Sequence, residues 1–262
     1  MIAPGLDVNL DHELNRESQG CDVVTQSDSV GLGALPFLLS VIAGATDVIS
    51  FLGLDGLFTA HITGNLVILA AHIVSGGPVP LAPMLSVPIF IIALGLACLF
   101  AAGLEAIGVA SLRPLLLLQS LLLSGFLALC LTAGPPRSLP ILAQGWLDAN
   151  AAIAIVAGMF GVSAMAVQNA LVHISLKGAP ATAVMTTNVT LLTIDVGNML
   201  ISRHPKDAAK ARSRARHTWP AVVGFAVGCT LGASCEMIVG LRSLALPAGL
   251  AFLSLALGRA TR

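Results

Sequence analysis

Two acidic residues lie inside long apolar stretches, where a charge is costly and therefore points to chemistry. Asp47 lies in the apolar run 33–54, and Asp195 lies in the run 180–201. A carboxylate at the centre of a hydrocarbon layer costs about 3 kcal/mol on insertion scales, so it is by default a candidate for binding or proton transfer. The alternative is a protonated carboxyl group that bonds a neighbouring helix. Both residues are therefore candidates for a solute or ion pathway.

Two short Thr/Asn motifs match each other. The segment 62–69 aligns with 185–192 at an offset of 123 residues, close to half the chain. The aligned candidates are Thr63, Gly64 and Asn65 in the first motif, and Thr186 and Asn188 in the second. Each motif could open a broken helix whose backbone amides and Asn side chain bind a substrate or ion. Equally, the small residues could allow close helix packing and the Asn an interhelical hydrogen bond.

Polar residues also precede each motif, which indicates an internal repeat. Asp47 comes before the first motif, and Gln168 and Asn169 stand at a comparable distance before the second. With an even number of membrane crossings per half the repeats would be parallel, and with an odd number they would be inverted. Both arrangements place the functional centre between the halves, so Gln168 and Asn169 are pathway candidates as well.

Titratable residues recur on the face of each motif. His72 follows Asn65 by seven residues, and Asp195 follows Asn188 by seven. Seven residues are close to two helical turns, so each pair lies on one face of its helix. His61, four residues before Asn65, extends the first stripe. Both histidines are weaker candidates: an imidazole is the side chain suited to proton exchange near neutral pH, but His72 lies near a helix end, where it could simply face lipid headgroups.

The composition is that of a membrane protein. Of the 262 residues, 56% are hydrophobic and 10% are charged, whereas a soluble domain has about 25% charged residues. Six of the 13 acidic residues precede residue 30, and six of the 13 basic residues fall between 203 and 216. We interpret residues 1–32 as a disordered, acidic cytoplasmic tail, because they contain no apolar signal-peptide core.

Eight apolar runs approach the roughly 20 residues that a membrane-spanning helix needs. They are 33–54, 58–75, 84–104, 112–133, 150–172, 180–201, 219–240 and 243–258. The second is interrupted by polar residues and the eighth is short, so seven spans compete with eight. The runs lack the ten-residue alternation of a membrane barrel. They predict an all-α membrane bundle of seven or eight helices, with repeats at 33–133 and 150–258.

The basic residues predict the orientation. With eight spans, ten Lys and Arg residues fall on the side of the N-terminus and three on the other side, namely Arg113, Lys177 and Arg242. Since basic residues favour the cytoplasmic side, the N-terminus and the loop 202–218 are predicted to be cytoplasmic.

Enzyme signatures are lacking. The sequence has no HExxH, GxSxG or Walker A motif, so we do not expect an enzyme. The five cysteines form no CxxC pair, and neither a metal site nor a cofactor is expected. The basic residues lack interleaved aromatic residues, which argues against nucleic-acid binding.

The stretch 43–70, AGATDVISFLGLDGLFTAHITGNLVILA, resembles the signature of the YoaK-like bacterial membrane proteins, a family with a domain of unknown function. Gln168-Asn169 and the segment 185–188 are similar to the family's second-half elements, and the resemblance spans residues 33–258. Thr187 stands where the family pattern has glycine, which would make that helix opening less flexible. The resemblance implies a multi-pass protein of the bacterial inner membrane and brings no established substrate, cofactor or reaction.

These features favour a small secondary transporter or permease for an unknown small solute, with a pathway between two pseudo-symmetric halves. Its partners would be membrane lipids and the solute, with a homo-oligomer as a further possibility. The alternative is a non-transporting membrane interaction or scaffold protein, in which the Thr/Asn motifs are helix-packing contacts.

Overall fold

A computed structural model describes residues 34–76, 79–132, 149–202 and 204–258. The predicted acidic tail lies outside these residues. Within them the chain is helical and contains no strand, which confirms the predicted helical class. Five helical stretches are long and apolar enough to cross a membrane, with mean hydropathies between 1.8 and 2.5. Apart from its terminal turns, a helix satisfies its own backbone N–H and C=O groups, which an apolar medium requires.

Eight α-helices are numbered here in chain order. They are α1 (Ala34–Gly53), α2 (Ile62–Ser75), α3 (Leu81–Ala106), α4 (Leu112–Thr132), α5 (Ala149–Ser175), α6 (Met185–Ile201), α7 (Pro205–Val239) and α8 (Ala245–Leu257). A 3-10 turn, Gly240–Leu244, joins α7 to α8. Together they form one of the five apolar helical stretches, Pro205–Leu257. Residues 58–61 and 180–184, predicted to belong to the second and sixth spans, are not helical.

Helix α1 is the central element of the bundle. In its most apolar window 78% of the residues are buried, compared with 11% for α3. The side chains on the outside are apolar, as in Val67, Ile91 and Leu99. An apolar exterior around a buried central helix is the arrangement expected for a bundle surrounded by lipid.

Contacts between the helices fix their directions. Helix α5 is antiparallel to α4, because Gly161 contacts Phe126 near one end and Ser175 bonds Ser111 at the other. Helix α5 is likewise antiparallel to α1, since Gln168 bonds Leu39 and the chain just after α1 packs on Gly158. We call the two ends of the bundle the Ser111 end, which also contains Ser175 and Gly258, and the Gly240 end, which contains Gly53, Cys130 and Leu244.

Helix α7 packs against α1 in the same direction through small residues. A Cβ atom on Gly228 would lie 2.2 Å from the carbonyl oxygen of Val41, and one on Gly44 would lie 2.3 Å from that of Phe225. Glycines at every fourth position, including Gly224 and Gly232, thus let the two backbones approach closely. The reversal into α8 occurs at Gly240, whose φ of 61° is accessible to glycine at little cost.

Candidate functional site

The chain between α1 and α2 folds back into the bundle. We call residues 54–61 the first break. Its Thr59 packs against Gly161 in α5. The backbone N–H groups of Thr59 and Ala60 donate to Oδ1 of Asp47, at 2.8 and 2.7 Å. Asp47 lies six residues before the end of α1, so the returning chain penetrates about 9 Å below that end.

Asp47 is engaged on both of its oxygens. Its Oδ2 lies 2.7 Å from Nδ1 of His61, and the residue is only 4% exposed. The imidazole ring contacts Phe225 of α7 edge-on, with 5.3 Å between ring centroids. A neutral imidazole that donates from Nδ1 to the carboxylate leaves Nε2 as an acceptor. In that neutral form the half-buried His61 offers a proton-accepting atom beside a buried carboxylate.

Asn65 secures the first break to α2 and α3. Its Oδ1 accepts from the backbone N–H of Phe58 at 2.9 Å, and its Nδ2 donates to the Phe58 carbonyl at 2.7 Å. The same Nδ2 donates to Oγ of Ser86 at 2.8 Å. Gly64 lies against the Phe58 ring, and Thr63 is exposed. The fully buried amide of Asn65 is thus used within the chain.

A second break, residues 176–184, separates α5 from α6. Nδ2 of Asn188 donates to the carbonyl of Ala181 at 2.5 Å. Nε2 of Gln168 donates to Oγ1 of Thr182 at 2.8 Å and to the Leu39 carbonyl of α1 at 2.9 Å. Gln119 of α4 donates in turn to Oε1 of Gln168 at 2.7 Å. Buried amide groups therefore hold this break as the carboxylate of Asp47 holds the first.

The two breaks approach α1 at different levels. The first lies beside Asp47, six residues from the end of α1, and the second lies near Leu39, five residues from its start. Eight residues, about 12 Å of helix, separate the two levels. The breaks therefore flank the middle of α1 from opposite ends of the bundle.

The remaining candidates lie apart from the breaks. Asp195 is buried and accepts from Nε of Arg214 on α7 at 2.9 Å. His72 is exposed and contacts the Ile68 carbonyl in its own helix. Asn169 is half-buried and donates to the Met165 carbonyl one turn earlier, while Thr186 is exposed. The structure thus brings Asp47, His61 and Asn65 to the first break, and Gln168 and Asn188 to the second.

Several residues that form hydrogen bonds with the sequence candidates were not themselves candidates. They are Thr59, Ser86, Gln119, Thr182 and Arg214. A signal was present for two of them, because Thr59-Ala60 and Thr182-Ala183 also match at the offset of 123 residues. Within the described residues no group of three or more His, Cys, Asp or Glu side chains could hold a metal ion.

The fold and these buried polar breaks define a helical protein of membrane type. A family model described as "Protein of unknown function (DUF1275)" matches residues 35–257, and the chain belongs to this family. The match confirms the predicted resemblance to the YoaK-like proteins. No curated protein and no solved structure matches the chain.

Proposed function

We propose that this protein is a small secondary transporter of the bacterial inner membrane, with α1–α4 and α5–α8 as two inverted halves. The observation that carries the proposal is the pair of helix breaks, which have matching hydrogen bonds and enter the bundle from opposite ends. Discontinuous helices at the interface of inverted repeats are a common way to build a transport site.

The hydrogen bonds support the internal repeat. Asn65 donates to the carbonyl seven residues earlier, and so does Asn188. Thr59 contacts Asp47 of the preceding helix, and Thr182 contacts Gln168 of its preceding helix. These pairs follow the same offset of 123 residues to within two positions, so sequence similarity and local geometry support the same alignment.

The helix directions support an inverted rather than a parallel relation. Helix α3 is antiparallel to α1, because it ends at the Ser111 end, where Ser111 bonds Glu105. Helix α2 in turn is antiparallel to α3 and so runs with α1, because Asn65 bonds Ser86 near the start of α3 and a short connection joins the two helices. Helix α6 runs with α5, because Asp195 bonds Arg214 near the start of the antiparallel α7. Each half then crosses the membrane three times, by α1, α3 and α4 or by α5, α7 and α8. Three crossings give the second half the opposite orientation.

The basic residues support a cytoplasmic Ser111 end. Of those described, seven lie at or beyond this end and one lies at the other. The seven are Arg113, Lys177, Lys206, Lys210, Arg212, Arg214 and Arg216, and the one is Arg242. This assignment keeps the predicted cytoplasmic N-terminus and loop 202–218, but it moves Arg113 and Lys177 to the cytoplasmic side.

A pathway also explains why irregular backbone is kept at membrane depth. Such backbone is tolerated only where protein buries it or where it lines a cavity. Helices α2 and α6 begin inside the bundle, and the N-terminal end of a helix favours negatively charged or hydrogen-bond-accepting groups. Together with Nε2 of His61, they could bind a polar solute between the halves.

A scaffold function is the second candidate, and one observation favours it. The amides of Asn65 and Asn188 bond the chain's own backbone, as expected of packing contacts. In that case the breaks would remain closed. Transport instead requires that each break become accessible in turn from the two sides of the membrane.

Accessibility of engineered cysteines tests the proposal. Ala60→Cys and Ala183→Cys are matched positions in the two breaks, each at most 5% exposed. In a cysteine-free background, a membrane-impermeant maleimide should label both variants from either side, in right-side-out and in inverted vesicles. Lys206→Cys, in the polar start of α7, is the control and should react from one side only. Labelling of Ala60→Cys and Ala183→Cys from one side or neither would overturn the proposal.

A further inference from the structure

The N-terminal part of α7 and the facing part of α6 form a basic cleft at the Ser111 end. It encloses about 590 Å³. It is lined by Leu191, Asp195, Ser213, Arg214, Arg216, His217 and Thr218. Nε2 of His217 lies 2.7 Å from the carbonyl oxygen of Gly178, which ties the cleft to the chain that follows α5.

The cations of the cleft are not equivalent. Arg214 is held by Asp195, which neutralises its charge and orients its guanidinium. Arg216 is exposed, and no described residue forms an ion pair or hydrogen bond with its guanidinium. A guanidinium binds phosphate through two parallel hydrogen bonds, and the neighbouring hydroxyl of Ser213 can donate a further one. The cleft therefore has one unpaired cation and donors suited to a phosphate group.

An apolar surface adjoins the cleft. Leu191 is 49% exposed and Ile194 is 53% exposed on α6, and Trp219 on α7 is 47% exposed. Tryptophan is enriched where membrane proteins meet the boundary between hydrocarbon and headgroups. Basic side chains beside such a surface attract anionic lipids of the cytoplasmic leaflet. A soluble anion or a nucleic acid would make no use of this apolar surface.

We propose that the basic cleft binds the phosphate-bearing headgroup of an anionic phospholipid. Arg216 is the main contact, the oriented Arg214 is the second, and the acyl chains lie along the apolar face of α6. The cleft touches the second break only where His217 contacts Gly178, and the proposed lipid contacts, Arg216 and Arg214, belong to neither break. The proposal therefore does not depend on transport. Binding here would strengthen the contact between α6 and the start of α7.

Thermal stability of the purified full-length protein tests the lipid site. Added phosphatidylglycerol should raise the melting temperature more than phosphatidylcholine does, because a ligand that binds only the folded state stabilises it. Arg216→Gln should weaken the apparent affinity for phosphatidylglycerol about tenfold or more, as expected for the loss of a charge-assisted pair. Arg242→Gln at the opposite end is the matched control and should behave as the wild type.

Three outcomes would overturn the proposal. The first is equal stabilisation by both lipids, and the second is an unchanged response of Arg216→Gln. The third is full stabilisation by inorganic phosphate alone, which would assign the cleft to a soluble anion. If Arg216→Gln does not purify as a folded protein, Ser213→Ala removes a phosphate donor from the same exposed face and should reduce the response to phosphatidylglycerol.

Discussion

Oδ2 of Asp47, within α1, lies 2.7 Å from Nδ1 of His61, fourteen residues later in the chain. The same carboxylate accepts backbone N–H groups through Oδ1. The carboxylate therefore compensates polar groups that a regular helix would satisfy by itself. This relationship explains how the chain can leave α1, return into an apolar bundle and begin a new helix there.

Removal of the Asp47 carboxylate should destabilise the first break. Asp47→Ala leaves the N–H groups of Thr59 and Ala60 without their acceptor, at a cost of about 1–3 kcal/mol for each buried group. Asp47→Asn retains one acceptor oxygen and should lose less. The melting temperatures of the purified variants check this order. Asp55→Asn, at an exposed turn position, is the control and should melt like the wild type. A milder effect of Asp47→Ala than of Asp47→Asn would contradict the role given to this carboxylate.

The two motif asparagines should differ in their contributions to stability. Asn65 makes hydrogen bonds to both backbone groups of Phe58 and to Ser86. Asn188 donates to the Ala181 carbonyl and contacts the sulfur of Met185. Asn65→Ala should therefore reduce the free energy of unfolding more than Asn188→Ala does, by about 1 kcal/mol for each additional lost hydrogen bond. The melting temperature of Asn65→Ala should accordingly be the lower of the two. Equal losses would show that the additional bonds of Asn65 contribute nothing.

The apolar runs predicted where the long helices lie, because a helix is the simplest way to satisfy backbone groups in an apolar medium. They did not predict the breaks. Residues 58–61 and 180–184 were predicted to be parts of membrane spans. Local hydropathy does not reveal a hydrogen bond such as that from Asn65 to the carbonyl of Phe58, seven residues earlier in the chain. Asp47 and Asn65 were identified from type and spacing. Ser86 was missed because a single serine in an apolar helix has no distinctive spacing.

Close packing of α1 on α7 should make Gly44 sensitive to substitution. A Cβ atom on Gly44 would lie 2.3 Å from the Phe225 carbonyl oxygen, which belongs to helix backbone and cannot easily move. Gly44→Ala should therefore lower the melting temperature by forcing the two helices apart. Gly95→Ala in α3 is the matched control, since a Cβ atom there has no neighbour within 4 Å. It should be neutral or stabilising by about 0.5–1 kcal/mol, from helix propensity. Similar losses for the two variants would contradict the close α1–α7 contact.

The ion pair between Asp195 and Arg214 should respond asymmetrically. The side chain of Asp195 is 5% exposed, whereas that of Arg214 is 49% exposed. Arg214→Gln leaves a buried carboxylate without its cation, whereas Asp195→Asn leaves a guanidinium that water can solvate. Arg214→Gln should therefore lower the melting temperature more than Asp195→Asn does. The reverse order would indicate that Asp195 is not buried against α7 in the folded protein.

The proposed inverted arrangement of the halves makes one prediction that distinguishes it from a chain of eight complete spans. With eight spans, the chain between α5 and α6 would lie outside the cell, and Lys177 with it. In the inverted arrangement α5 ends at the Ser111 end and α6 leaves from the same end, so Lys177 is cytoplasmic. Lys177→Cys in a cysteine-free background should therefore react with an impermeant maleimide in inverted vesicles and not in intact cells. Arg242→Cys, in the turn between α7 and α8, should show the opposite pattern. Labelling of both Lys177→Cys and Arg242→Cys in intact cells would place both residues outside the cell. That result would support eight spans, because in the eight-span arrangement two crossings, the sixth and seventh spans, separate the two positions.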